Sequence, residues 1–578
     1  MGFMQCYLNR VLRSSDIFAE LLSHKVATKK TVVLDFSSPN IAKQFHIGNL
    51  RSTILGNFIQ NIYRRAGHNV ISINYLGDWG TQMAFLALQW PETRRQMDLD
   101  SNKWNDMPSC EKIRLLTRSY IEANNRAKNE PEFRIKVLEL FSHMETARIN
   151  GETPTSNEQL ALWKMFRDVS EDYLRVFYKN FMVNFDVWEG ESDYILDAFN
   201  LSEELIHSGK AFKKDDLWAV KENGSRLYYV LRKSDNTSLY LSRDYGAFMS
   251  RNKRYNADNY LYIVDSAQSN HFEGLKSLLR VQGFPEHAEK IAHVPYGRIA
   301  GLSTREGKSE AKSPTLRITS NEIRDVAQQL SATSIIMNDF MKKRDSQYKF
   351  SFENAYKLTD YSPIAVQIKH TRLNSLVETH AELANKIFSG AVDLEELSMD
   401  PSPLANQLFD RISSLDNALF ISYQGIEPNA FARYLMELSR EVGQAFSQLR
   451  IHGEPEEVAL PRLLLFLAAK RILYDGTGVI ASIPASNLTC ANITCNTNET
   501  CIMKEIMCGC VPCNPVPTCV PKPSILPCIC TPCRCPLPIE PIAQSSNTEN
   551  NAMICACPLC MIACPLESTN QIQDGTST

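Results

Sequence analysis

A short, largely apolar run, Val32 to Phe36, gives way to the polar stretch Ser37-Ser38-Pro39-Asn40, and beyond it Leu50, Ile54, Leu55, Phe58 and Ile62 recur at helical spacing. The order is strand, loop, helix. Val70 to Tyr75 reads as a second strand, so residues 31 to about 90 form a strand-helix-strand unit. Ser101 to Glu189 is charged and keeps a helical period through Leu160, Trp163, Phe166, Val169 and Tyr173, which reads as an insertion. A second α/β half runs from about Tyr194 to Thr304, with a strand at Tyr260 to Val264 and a helix at His271 to Gly283. From about Ile323 onward the period is helical: Ile335 to Met341, Ile364 to Leu376, Leu404 to Leu419, Ala430 to Leu449 and Pro461 to Leu473. A parallel α/β domain followed by an all-α bundle is predicted.

The first strand-loop-helix junction carries the candidate chemistry. It aims free backbone N–H groups and the positive end of a helix at one spot, where a nucleotide's phosphates sit in parallel α/β sheets. Lys43 and His46 add side-chain donors there. A histidine at a helix start also serves as a cap or a packing residue, so spacing alone leaves both roles open.

Composition refines the picture. At 578 residues the chain has room for three or four domains, and its formal net charge of -3 requires any nucleic-acid contact to come from local basic patches. No apolar run reaches the ~18 residues that would span a bilayer, so no membrane contact is expected. Only Cys6 and Cys110 precede residue 490, whereas Cys490 to Cys564 holds the other fifteen of seventeen cysteines, among many prolines and beside sequons at Asn487, Asn492 and Asn498. The body has the thiol content of an intracellular protein; the tail has that of a disulfide scaffold. Three readings of the tail stand open: zinc-like pairs such as Cys510/Cys513, Cys530/Cys533 and Cys557/Cys560 without histidines, a genuine appended module, or a secreted-type segment fused to an unrelated enzyme by the gene model. The last is favoured.

The wording of the junction, Asp35 to Phe45 followed by His46-Ile47-Gly48-Asn49, closely resembles the first signature of class I aminoacyl-tRNA synthetases in the form used by arginyl-tRNA synthetases. Later segments continue the resemblance in order: Leu76 to Gln82, Ser238 to Asp244, Tyr262 to His271, His293 to Gly297 and Gly301 to Arg305. Together they span roughly residues 5 to 475.

The resemblance implies a Rossmann-type catalytic domain with a parallel sheet over residues 29–320, with a helical insertion at about 100–190. An all-α anticodon-binding domain is expected over 321–480, a remnant of an N-terminal tRNA-binding domain at 1–28, and an irregular Cys/Pro-rich tail at 481–578. It implies that L-arginine, ATP with magnesium on the nucleotide, and tRNA(Arg) are the substrates, with no protein-bound metal and a monomeric enzyme. His46, Gly48 and Asn49 match the phosphate-facing positions, Asn49 standing where the family usually has a second histidine. The second signature, Ser303-Thr304-Arg305, lacks the usual lysine, and Lys43 is the residue thought to substitute, with Arg305 and Lys308 as secondary candidates. Asp35 and Asp244 match acidic positions facing the arginine guanidinium, Asp35 being one methylene shorter than the usual glutamate. Tyr240 packs alongside, and Asn40 and Gln268 match amides that hold the amino group.

For tRNA, Gln367, His370 and Arg372 match the start of the anticodon-binding bundle, although its aromatic positions are aliphatic here; Tyr361 and Tyr423 are possible compensating aromatics. The form of the second signature and the short body are more like the mitochondrial branch, so the matrix is expected, with the cytoplasm as the alternative. The altered signatures also motivate a second reading, a catalytically impaired paralogue that binds tRNA without charging it.

Overall fold

The computed structural model describes residues 2–299 and 321–481, apart from single positions 236, 358, 360 and 395, and only the backbone of 47, 321–329 and 481; in the tail it describes the backbone of 499–508, 511–521, 552–553 and 564–565. The chain folds as two units, Met1–Ala485 and Ser486–Thr578.

The first unit is built on a five-stranded parallel sheet. Its strands are β1 (Thr31–Asp35), β2 (Asn69–Leu76) and β3 (Val187–Gly190), then, after a small antiparallel sheet of β4 (Ala211–Lys214), β5 (Leu217–Val220) and β6 (Tyr229–Arg232), β7 (Asn259–Tyr262) and β8 (Ile291–His293). The order is β3-β2-β1-β7-β8. The chain thus winds outward from β1 on one side, then returns to wind outward on the other. Between β1 and β7 the strand order reverses, which opens a crevice beyond their carboxyl ends, where Asp35 lies level with Tyr262. Alternation along β1 sends Val32 and Leu34 to one apolar layer with Phe36, Leu55 and Phe58, and Val33 to the other with Ile73, Tyr260 and Leu278.

Between β2 and β3 the charged stretch is helical, as Ser101–Asp106, Ser109–Asn129, Pro131–Ile149 and Glu158–Asn180. The helix Ile47–Arg65 lies tight against the strand layer because Gly56 has no side chain: a Cβ there would come within 2.0 Å of the Phe36 ring. The same helix is fixed to the bundle. Buried Arg51 pairs with Asp339 at 3.2 Å and donates to the Lys343 carbonyl at 3.0 Å, while Phe58 meets Phe340 edge-on at 5.6 Å.

The bundle comprises Asn321–Phe340, Pro363–Thr379, Ala381–Ser389, Pro403–Ser413, Leu415–Gly425, Pro428–Gln448 and Glu456–Ala481. Where one helix was expected over 404–419, two are found, meeting at Ser414, whose hydroxyl donates to the Arg411 carbonyl. Leu408, Ile412, Leu415 and Leu419 are all buried across the junction, so the apolar period runs through the turn and conceals it. The helices Gly2–Arg13 and Ile17–Ser23 belong to the bundle core: Leu8, Val11 and Phe18 are fully buried, Gln5 donates to the Leu397 carbonyl at 2.9 Å, and Phe18 packs edge-on against Phe431. No helix among the described residues is long and apolar enough to cross a membrane. In the second unit, Glu499–Cys508 pairs antiparallel with Val511–Pro521, and Ala552–Met553 with Cys564–Pro565.

Candidate active site

The loop from Phe36 to His46 crosses the carboxyl edge of the sheet, and its backbone is strained. Ser37, Ser38 and Ala42 have φ of 66°, 43° and 58°, a left-handed conformation that costs on the order of 1–3 kcal/mol for each residue with a side chain. Specific bonds over-determine it. Ser37 N–H donates to the Ser52 hydroxyl at 2.9 Å, and the Ser37 hydroxyl shares hydrogen bonds with Thr53 and Tyr178, each at 2.7 Å. Ser38 N–H donates to Asn74, Ala42 N–H to Ser170 at 2.9 Å, and Gln44 N–H to Thr117 at 2.9 Å. Three of these partners, Thr117, Ser170 and Tyr178, come from the helical insertion. The insertion is therefore the clamp on the loop, a role its periodicity did not reveal.

His46 caps the helix Ile47–Arg65. Its Nδ1 accepts the Gly48 N–H at 3.0 Å, so the neutral ring carries its proton on Nε2. Burial, and then the neighbouring Lys43 ammonium, hold the imidazole below its usual range, which keeps it neutral at pH 7. The result is one uncharged donor at a positive helix end. Lys43 lies 4.4 Å above the Tyr120 ring, with its Nζ 3.3 Å from Gln82 Oε1. Gly48 and Asn49 follow in the first helical turn, both half-buried. Ser303, Thr304, Arg305 and Lys308 lie outside the described residues.

Across the crevice, the helix Tyr240–Tyr255 brings Tyr240, Asp244 and Arg251 to bear. Asp244 Oδ2 accepts from His271 Nε2 at 2.6 Å, and the Tyr240 and His271 rings pack at 4.8 Å. Asn40 and Gln268 are exposed, Asn40 forming a bridge with Gly77, where a Cβ would come within 2.3 Å of Asn40 Oδ1. Asp35 differs from expectation. Its carboxylate is buried and bonded within the protein, Oδ2 to Arg251 Nη1 at 2.8 Å and Oδ1 to the Ser38 hydroxyl at 2.7 Å. Burial pushes this carboxyl above the usual range, against the pull of the Arg251 guanidinium. Arg251 in turn bonds Glu189 at 2.9 Å and lies over the Tyr75 ring. Asp35 thus belongs to a buried ionic frame with Arg251, Glu189 and Ser38. Arg251 and Glu189 were not singled out in the sequence; the helical spacing of seven between Asp244 and Arg251 was the available signal.

In the bundle, Arg372 is exposed beside the Phe446 ring at 5.2 Å and Gln367 is half-buried. His370 is instead buried at 4 % exposure next to Tyr474. Tyr423 is also committed, to His68 Nε2 at 2.7 Å. Burial, with Lys470 adding to it, pushes the His370 imidazole down to about 4. Because the unfolded chain takes up a proton near pH 6.5, His370 adds stability that is fully present above that pH and is lost as pH falls from about 6.5 to 4. The full loss has an upper bound of about 3 kcal/mol. His370→Gln is therefore expected to show a smaller drop in urea midpoint between pH 7 and pH 5 than the parent; equal drops would refute this.

Residues 14–352 match the family of class I tRNA synthetases of the arginine type, catalytic domain, and residues 366–484 match the DALR anticodon binding domain. The probable mitochondrial arginine–tRNA ligase of Homo sapiens is 32% identical over 482 residues, covering 80% of this chain and 79% of that protein. The cytoplasmic arginine–tRNA ligase of Saccharomyces cerevisiae is 28% identical over 517 residues, covering 84% and 82%. Among solved structures, the Plasmodium falciparum arginyl-tRNA synthetase shares the fold at a TM-score of 0.61 and 21% identity, covering 83% of this chain and 81% of that one. With a parallel-sheet catalytic domain, a helical anticodon-binding domain and these relatives, the chain belongs to the class I arginyl-tRNA synthetase family.

Proposed function

We propose that this enzyme activates L-arginine with ATP and transfers the arginyl group to tRNA(Arg), releasing AMP and pyrophosphate. The observation that carries the reading is the crevice itself, where a neutral histidine donor at a helix N-terminus stands across the β1/β7 junction from a carboxylate flanked by Tyr240 and His271. One side suits phosphates and the other suits a small cation.

The chemistry needs positioning and charge stabilisation more than covalent catalysis. His46 Nε2–H and the helix-start N–H groups would donate to phosphate oxygens as charge builds on the departing pyrophosphate, with Lys43 adding a positive charge and magnesium arriving on the nucleotide. Gly48 would let the nucleotide approach the backbone, and Asn49 would supply an amide donor. Asp244 would take the guanidinium, Tyr240 would pack along it, and Asn40 and Gln268 would hold the α-amino end. Exposed Arg372 and half-buried Gln367 remain candidates for tRNA contact.

Relatives of similar identity include both mitochondrial and cytoplasmic enzymes. The mitochondrial matrix and a monomeric state are proposed. Arginine-dependent ATP–pyrophosphate exchange, with and without tRNA(Arg), tests the activity. Complete absence of exchange in both conditions would refute it.

A further inference from the structure

The two carboxylates matched to the arginine guanidinium stand in unlike surroundings. Asp35 is 5 % exposed and both its oxygens are bonded, to Arg251 and to Ser38. Asp244 is 22 % exposed, and only Oδ2 has a partner among the described residues, His271 Nε2 at 2.6 Å. An ionised carboxylate can only accept, so the proton of that bond belongs to Nε2. His271 itself has little freedom. Its side chain is 8 % exposed, held between the Tyr240 ring at 4.8 Å and the Phe272 ring at 5.2 Å, in the first turn of the helix Ser269–Gln282.

We infer that His271 is a positioning residue for arginine recognition, fixing one oxygen of Asp244 so that the other meets the incoming guanidinium, while Arg251 withdraws Asp35 from that task. This rests on the activity proposed above. A planar guanidinium offers its N–H groups in fixed directions, so a carboxylate held in one orientation binds it better than one that must be ordered on binding. Tyr240 lies at the join: half exposed, it covers His271 on one face and flanks the pocket on the other. Arginine recognition therefore depends on a histidine that need not touch arginine.

The test uses the full-length protein and its His271→Ala and His271→Gln variants. Arginine binding is measured by calorimetry, and arginine KM and kcat by ATP–pyrophosphate exchange with tRNA(Arg) present. A hydrogen bond to a charged group is worth about 1.5–3 kcal/mol, so His271→Ala should weaken arginine binding and raise KM about 10- to 100-fold, with kcat within about threefold. His271→Gln, whose amide nitrogen reaches the place of Nε2, should recover most of the loss. Unchanged arginine binding in His271→Ala would overturn the inference. So would equal weakening in both variants, since the donor would then not be what matters. If exchange is absent while the parent binds arginine and His271→Ala binds it weakly, the proposed activity fails and the positioning role stands. A parent that binds no arginine overturns both.

Discussion

Arg251→Met is expected to lower the unfolding free energy by about 3–5 kcal/mol at neutral pH, because it removes one member of a buried ionic group and leaves the others behind. Arg251 is 1 % exposed and bonds two carboxylates, Asp35 at 2.8 Å and Glu189 at 2.9 Å, the latter also held by Arg254. Methionine fills much of the volume, so the cavity contribution is small and lost charge pairing dominates. Without the guanidinium, burial acts on Asp35 against the Ser38 hydroxyl alone and raises its folded-state pKa further above the unfolded value. A group shifted that way favours the folded state increasingly as pH falls, so the gap between parent and variant should narrow from pH 8 to pH 5. Urea midpoints across that range check both the size and the slope. A gap below about 1 kcal/mol, or one that widens at low pH, would show that the pair contributes little to the fold.

His46→Asn should lower kcat for arginine-dependent exchange by about 10²–10³, the usual effect of removing one donor aimed at developing charge. Alanine would be the less informative change. His46 is also the helix N-cap through Nδ1, and an alanine there costs about 1 kcal/mol of stability, whereas asparagine is among the best caps. Asparagine can keep the bond to the Gly48 N–H while losing the donor at the Nε2 position. Stability should therefore stay within about 0.5 kcal/mol of the parent while turnover falls. Since burial and Lys43 keep His46 neutral, parent kcat should not decline as pH rises from 7 to 8.5 through loss of an imidazolium proton. Unchanged turnover in His46→Asn would leave His46 as a cap alone.

How far the site could be read depended on whether its parts were adjacent in sequence. His46, Gly48 and Lys43 share one loop and one helix start, and that arrangement is visible in local pattern. Asp244 and His271 stood in two recognised segments, yet their bond joins residues 27 apart, and no pattern on either helix announces it. His370 shows the limit of a short motif: its neighbours Ile368 and Arg372 are exposed while it is buried, and a helical face cannot be assigned from the motif alone.

By itself the sequence determined the class of fold, the sheet-edge junction and the family, because strand and helix periods, turn chemistry and signature wording are local properties. Only the tertiary structure decided which charges meet. It placed Arg251 against Asp35, tied a carboxylate that matched a substrate position into a buried ionic frame, and left one oxygen of Asp244 without a partner among the described residues. It also made the insertion a clamp on a strained loop. The physical reason is the same in each case: a buried charge or an unpaired N–H must find a partner, and that partner is chosen by proximity in space across dozens to hundreds of residues.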